Sequence, residues 1–452
     1  MDRNYDITDP KAIERYAQRL VGHTMAEFLP PQDLNAANKG RFGNLVEEYL
    51  GIPANSVPGA DFRTIGGADV EVKSLPLKMT REGLRVKERL VFNIIDYMGI
   101  CRETWETSSF LAKNKLILLV TYIYEPEKSP YEYCINSARL LDLTNMPQDD
   151  WRIMKADWEK IVSAIRSGHA ESLSEGSTFY LGACTKGSTA ESSLRHQPYS
   201  PIDAKQRAFS WKSSYLNHVI DGLCSTRFRG RSVFGGYPGT LCFEQFVVSH
   251  FASYISKRAE QIAVELGKTY DTKAKHYLAL IAKAILGAAE DEEIDEFFKA
   301  DVKIKTICLE TNGQLEESIS FPCIRYKEIL DECWEDSTLR SMLDRKFLFV
   351  IFQKSNTGAR ILQRVMFWNM PVEILDSDVR SVWEQTVAMI RAERFDALPG
   401  KSWNPVCHVR PHGTSALDTA ETASGRRVGK KCFWLSNGFI LDSLNICILS
   451  SL

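Results

Sequence analysis

The 452-residue chain lacks any surplus of positive charge: 56 lysines and arginines stand against 58 aspartates and glutamates, a formal net charge of −2. That excludes a general cationic coat, so any surface for a polyanion has to be local. It has no apolar run long enough to cross a membrane, and its first residues are polar and charged. It has eleven cysteines but no C-x-x-C, and the thiols are scattered. An odd, unclustered set of this kind predicts reduced thiols in a cytoplasmic protein rather than a disulfide-stapled one. With 44% hydrophobic and 25% charged residues, the composition is that of a soluble globular protein. The length predicts two domains of ordinary size.

One stretch stands out: Gly59-Ala60-Asp61, followed by Asp69-Val70-Glu71-Val72-Lys73-Ser74. Strict alternation predicts a half-buried strand, with Val70 and Val72 facing a core and Asp69, Glu71 and Lys73 projecting from the other face. Two carboxylates and an amine so placed suit metal-assisted phosphodiester hydrolysis. Asp61 and Glu71 offer oxygen ligands for a hard cation such as Mg2+. Such an ion polarises a phosphate and acidifies water, while Lys73 orients that water and offsets charge. The same spacing also describes a solvated charge pair on a strand, so the flanking chain has to decide.

Residues 9–29 read as a capped helix that serves packing. Arg41–Leu50 reads as a second helix with Phe42, Leu45, Val46, Tyr49 and Leu50 as its buried stripe, ended by Gly51 and Pro53. Glu47 and Glu48 flank that stripe on opposite sides, and periodicity leaves open which of them reaches a site. The apolar run at 87–97 fits strand or buried helix, whereas Leu116–Tyr122 reads as a central strand with Lys113 and Lys115 at its entrance. Residues 151–175 read as helix. Turn-rich loops carrying Lys186, Arg195 and Gln197 follow. Residues 204–215 are expected as a basic-aromatic helix bearing Lys205, Arg207 and Lys212. Such donors suit base edges and phosphates, although the composition also fits a solvated face.

Taken in order, the helix Gly43–Gly51, the strand Val70-Glu71-Val72-Lys73, the Trp105-Glu106-Thr107-Ser108 turn, Leu194-Arg195 and residues 204–215 resemble the MutH-type endonucleases. The likeness is strongest to the two-domain type II restriction enzymes of that group that cut double-stranded DNA at GATC. It implies an α/β protein of two restriction-endonuclease-like domains, each a mixed sheet flanked by helices. By position, Asp61 and Glu71 resemble the group's metal ligands, Lys73 its catalytic lysine and Glu47 its helix glutamate. Lys113 matches the supporting lysine, with slippage to Lys115 left open. Residues 194–200 resemble the loop that reads bases, and Lys212 falls at the group's lysine beyond it. Ala60 stands where relatives often have proline, and Asp69 adds a third acid to the Glu71 face. The group cuts before the G and leaves 5′ overhangs.

The domains are expected at 1–222 and 241–452, joined by a Gly- and Arg-rich linker at 223–240. The second half echoes the first loosely. Trp334–Phe352 parallels Trp105–Val120, Glu244 parallels Glu47, and the loop with Arg410 and His412 parallels that of Arg195. The strand Val302-Lys303-Ile304-Lys305-Thr306 breaks the pattern, because Lys303 replaces the glutamate and a lysine repels a cation. The second domain is therefore expected as a degenerate copy that binds a second DNA site as effector but does not cut. One intact site per chain further predicts a monomer that dimerises on DNA. Two other readings compete: a mismatch-repair nickase at GATC that awaits a partner, and a DNA-binding regulator that has lost cleavage.

Overall fold

A computed structural model describes residues 4–30, 41–53, 59–64, 69–80, 83–186, 193–223, 230–316, 318–413, 415 and 418–449. The chain divides into two compact units, Met1–Leu173 with Thr178–Phe228, and Ser174–Ser177 with Arg229–Leu452. Among the described residues no helix is long and apolar enough to cross a membrane.

The first unit runs α1 (Pro10–Ala17), α2 (Arg41–Leu50), β1 (Val70–Thr80), β2 (Gly83–Val86), β3 (Leu90–Ile94), α3 (Ser109–Asn114), β4 (Leu116–Ile123), β5 (Ile135–Asp142) and α4 (Gln148–Arg166). It closes with β6 (Leu181–Thr185), β7 (Leu194–Arg195), β8 (Ala204–Lys205), β9 (Arg207–Trp211) and α5 (Ser213–Leu223). Its main sheet is mixed, in the order β2-β1-β4-β5: β1 pairs parallel with β4, and β2 and β5 lie antiparallel at the edges. A second sheet has the order β3-β9-β6.

One core holds β1 in place. Val70 and Val72 of β1 pack with Leu118 and Val120 of β4 against Phe42, Leu45, Val46, Tyr49 and Leu50 of α2. Gly43 permits the close approach, since a Cβ there would lie 3.2 Å from Ser74 Oγ. α2 ends where Gly51, at φ 67°, donates to the Glu48 carbonyl at 2.9 Å and Ile52 donates to the Glu47 carbonyl at 2.8 Å. This is the left-handed stop that glycine makes without strain, and it leaves Glu47 in the last turn. α3 is fixed at its other end, where the buried Ser108 Oγ accepts from Leu111 N and donates to the Trp105 carbonyl.

Four expectations change. Residues 9–29 are not one helix: α1 ends at Ala17, and short 3-10 turns follow at Gln18–Leu20 and Met25–Glu27. Residues 204–215 are not one helix but the strands β8 and β9 followed by α5, because every residue of β9 is buried and pairs with β3 and β6. The helix at 151–175 starts at Gln148 and ends at Arg166. Residues 230–240, expected as linker, belong to the second unit. Arg231 bridges to Ile294, and the Glu296 carboxylate gathers Ser232 Oγ and the amides of Val233 and Phe234.

The second unit contains α6 (Phe243–Ser249), α7 (Ala259–Glu265), α8 (Tyr277–Ile285), α9 (Asp295–Ala300), β10 (Lys303–Leu309), β11 (Ile319–Cys323), α10 (Thr338–Leu343), β12 (Lys346–Lys354) and β13 (Arg360–Asn369). α11 (Val372–Ile374) passes through a π-turn into α12 (Arg380–Arg391). β14 (Cys407–Pro411), β15 (Thr419–Glu421), β16 (Arg427–Gly429), β17 (Lys431–Leu435) and α13 (Asn437–Leu449) complete it. β10 pairs parallel with β12, and β12 pairs antiparallel with β13, the same senses as β1 with β4 and β4 with β5. Ser337 caps α10 as Ser108 caps α3.

Candidate active site

The backbone of β1 brings the acids together. Phe62 and Val70 exchange both backbone hydrogen bonds, at 2.9 and 3.0 Å, which folds the preceding segment back along the strand. Asp61 then sits beside β1, and its Oδ2 accepts from Val72 N at 2.7 Å. A charged oxygen on an amide makes a strong bond, so the carboxylate is pinned to the strand that carries Glu71.

Glu71 does not project into solvent as alternation implied. It is 3% exposed, because β1 is an interior strand covered on both faces. Its Oε1 meets Lys73 Nζ at 2.6 Å and Lys113 Nζ at 3.4 Å. Its Oε2 is buried and has no hydrogen-bond partner. Burial raises the Glu71 pKa above the ordinary carboxylate range; Lys73 opposes the rise and the charge of Asp61 adds to it. Glu47 is half-buried and also raised, first by burial and then by Asp61 and Glu71, with Lys73 and Lys113 opposing. Asp61, Glu71, Glu47, Lys73 and Lys113 thus form one electrostatic cluster.

The members of the two pairs left open by the sequence are placed differently. Glu48 is exposed whereas Glu47 faces the cluster, and Lys113 from the last turn of α3 reaches Glu71 whereas Lys115 points to solvent. Asp69 is engaged elsewhere: its oxygens take Arg63 Nη1 and Thr64 N, each at 3.0 Å.

The donor set fits a hard divalent ion. Among the described residues no group of three His, Cys, Asp or Glu side chains converges as a ready cage. A pair of carboxylates is nonetheless what Mg2+ commonly uses, with waters and substrate phosphate completing its shell. The unpartnered Glu71 Oε2 is the second mark of fit, since a buried anionic acceptor left alone costs about 1–3 kcal/mol or more.

The residues expected to touch DNA divide into two groups. Lys186 and Arg195 are exposed and Lys205 is half-buried; Arg195 Nη2 donates to Gln206 Oε1 at 3.2 Å. Gln197, Arg207 and Lys212 are buried at 5%, 3% and 9% exposure. Gln197 accepts from Ala170 N and donates to Glu171 Oε2 and the Ile202 carbonyl. Arg207 donates to the Ala183 carbonyl and Lys212 to that of Thr178. Gln197 thus ties the Ile202 end of the loop to Ala170 and Glu171, while Arg207 and Lys212 are held on backbone carbonyls at and before β6. In the second unit Arg410 is exposed with its guanidinium 4.6 Å from the Trp434 ring centroid, and His412 is exposed and edge-on to the same ring.

Sequence reasoning missed Asp157. It is buried, and it accepts from the amides of Phe179, Tyr180 and Leu181 at 2.8, 2.6 and 3.0 Å, fixing the entry to β6 and thereby the base of the Lys186 loop. Its only signal was an acid inside the apolar stripe of α4. Tyr199 is also notable, 80% exposed at φ 64° in the Leu194–Ser200 loop.

The family model described as the DNA mismatch repair enzyme MutH matches residues 50–157, a stretch holding Asp61, Glu71, Lys73 and Lys113 but not Glu47. The chain is 31% identical to the type II restriction enzyme Sau3AI of Staphylococcus aureus, over 94% of this chain and 92% of that one. It is 26% identical to the mismatch repair protein MutH of Vibrio campbellii, over 47% of this chain and 93% of the relative. To MutH of Enterobacter sp. it is 31% identical over 45% of this chain and 88% of the relative.

Proposed function

The chain belongs to the MutH-like family of type II restriction endonucleases, and from that premise we propose that it hydrolyses both strands of double-stranded DNA at GATC with Mg2+ as cofactor. The observation that carries this reading is Glu71, whose buried, unpartnered Oε2 lies within one cluster with Asp61, Lys73 and Lys113. When bound, the ion supplies Lewis-acid polarisation of the scissile phosphate and acidifies water. Asp61 and Glu71 would hold it. Lys73 Nζ, 2.6 Å from Glu71 Oε1, orients the attacking water and offsets phosphate charge. Lys113 holds Glu71 Oε1 in place, and Glu47 tunes the field around both. Lys186, Arg195 and Lys205 contact DNA, while Gln197, Arg207 and Lys212 support them from beneath.

The second unit is read as a degenerate copy that engages another GATC site as effector, with Arg410 and His412 on its DNA face. Lys303 occupies the strand position of Glu71, so no metal pair forms there. Purified protein incubated alone with supercoiled GATC plasmid and Mg2+ tests the reading. Linear fragments with 5′ overhangs support it; open circles support a repair-type nickase; retarded but intact plasmid supports a non-cleaving regulator.

A further inference from the structure

The parallel strand pair of the second unit repeats the register of the first. Glu71 lies opposite Ile117, the second residue of β4, and Lys303 lies opposite Phe347, the second residue of β12. Lys305 follows Lys303 by two residues, as Lys73 follows Glu71. Charge at this place is inverted. In the first unit three acids, Asp61, Glu71 and Glu47, outnumber Lys73 and Lys113 by one. In the second, Lys303 and Arg345 share Asp301 and Lys305 lies within reach of the charge of both, while Glu244 is matched by Lys346 at 3.6 Å.

The cationic cluster is built rather than incidental. Arg345 is anchored by Nε and Nη2, both on the Ser341 carbonyl at 3.3 Å, and its Nη1 meets Asp301 Oδ1 at 3.3 Å. Lys303 Nζ reaches the same oxygen at 3.4 Å, so one carboxylate oxygen serves two cations. Lys305 is half-buried, with Nζ 6.0 Å from the Phe321 ring centroid and no acidic partner among the described residues. Burial, with Arg345 and Lys303 adding, pushes its pKa down, so the site gains by taking up negative charge.

We infer that this site clamps a DNA backbone phosphate directly through Lys303, Lys305 and Arg345, without a divalent ion. It deepens the effector reading and rests on it. Lys303 and Lys305 of β10 with Arg345 before β12 carry two positive charges beyond Asp301, more than a single phosphodiester needs, so no metal is required to bridge the anion.

The test titrates full-length protein with a short GATC duplex, with Ca2+ replacing Mg2+ and then with EDTA. Two duplexes per chain are expected in Ca2+, and one is expected to persist in EDTA. The Lys303→Ala/Lys305→Ala double variant weakens the EDTA-resistant duplex about tenfold or more and lowers the salt slope by about 2. Lys305→Arg alone keeps the charge and retains binding, which a folding defect would not allow. If the parent binds one duplex in Ca2+, the effector reading fails and this inference with it. If it binds two but the double variant keeps the affinity and salt slope in EDTA, only this inference fails.

Discussion

Glu71→Gln is expected to make the metal-free protein more stable and the inactive one insensitive to metal. Glu71 is held above the ordinary carboxylate range mainly by burial, despite Lys73 and Lys113 on its Oε1. A carboxyl that holds its proton more tightly when folded stabilises the fold fully below its unfolded pKa, and that contribution is lost as pH rises through the folded pKa. The unfolded reference is 4.5, so the metal-free parent loses stability above it, toward neutrality. Glutamine copies the protonated shape, keeps an oxygen for Lys73 and removes the buried charge. A gain of about 1 kcal/mol follows from the penalty on a poorly satisfied buried acceptor, or about 2–4 °C for a unit of this size. A divalent ion present at 100 times its dissociation constant stabilises the parent by about 2.7 kcal/mol, and this gain is absent from the variant. Melting at neutral pH should therefore show the variant above the parent in EDTA and below it in Ca2+. A variant that melts lower in both conditions, or gains as much from Ca2+ as the parent, refutes the reasoning.

Lys73→Ala should reduce plasmid cleavage by about 10²–10⁴-fold while a gel-shift assay in Ca2+ shows DNA binding intact. Lys113→Ala should slow cleavage far more than Lys115→Ala, read as single-turnover rates on one oligonucleotide, because of these two lysines Lys113 is the one that reaches Glu71. Asp157→Ala strands three buried amides and should cost about 3 kcal/mol or more in denaturant unfolding. Arg195→Ala, exposed in its loop, should weaken GATC binding without lowering the melting temperature, whereas Gln197→Ala should lower both.

The parts of the chain legible in advance were those where one physical signal dominates. The branched run of β4 and the apolar stripe of α2 both form as read, since their burial follows from pattern alone. The Ser108 cap of α3, by contrast, went unread, although its hydroxyl and the helix start are adjacent in sequence. β9 was misread as helix because a strand buried on both faces has no alternation to display, and Arg207 within it looked like a surface donor. The burial of Glu71 was invisible for a related reason: Val70, Glu71 and Val72 are all covered, so the polar member of the alternation is buried as well. The 230–240 segment looked like a linker because glycine and arginine dominate it, while the carboxylate that organises it, Glu296, lies some sixty residues downstream.

As the structure stands, the Lys73 ammonium is the resident counter-ion of the Glu71 carboxylate, 2.6 Å away. Any other cation that takes over the neutralising of Glu71 sets Lys73 loose at the moment there is work for it. In the proposed reaction the pair is a latch, in which freeing the amine and loading the acid are a single exchange of charge.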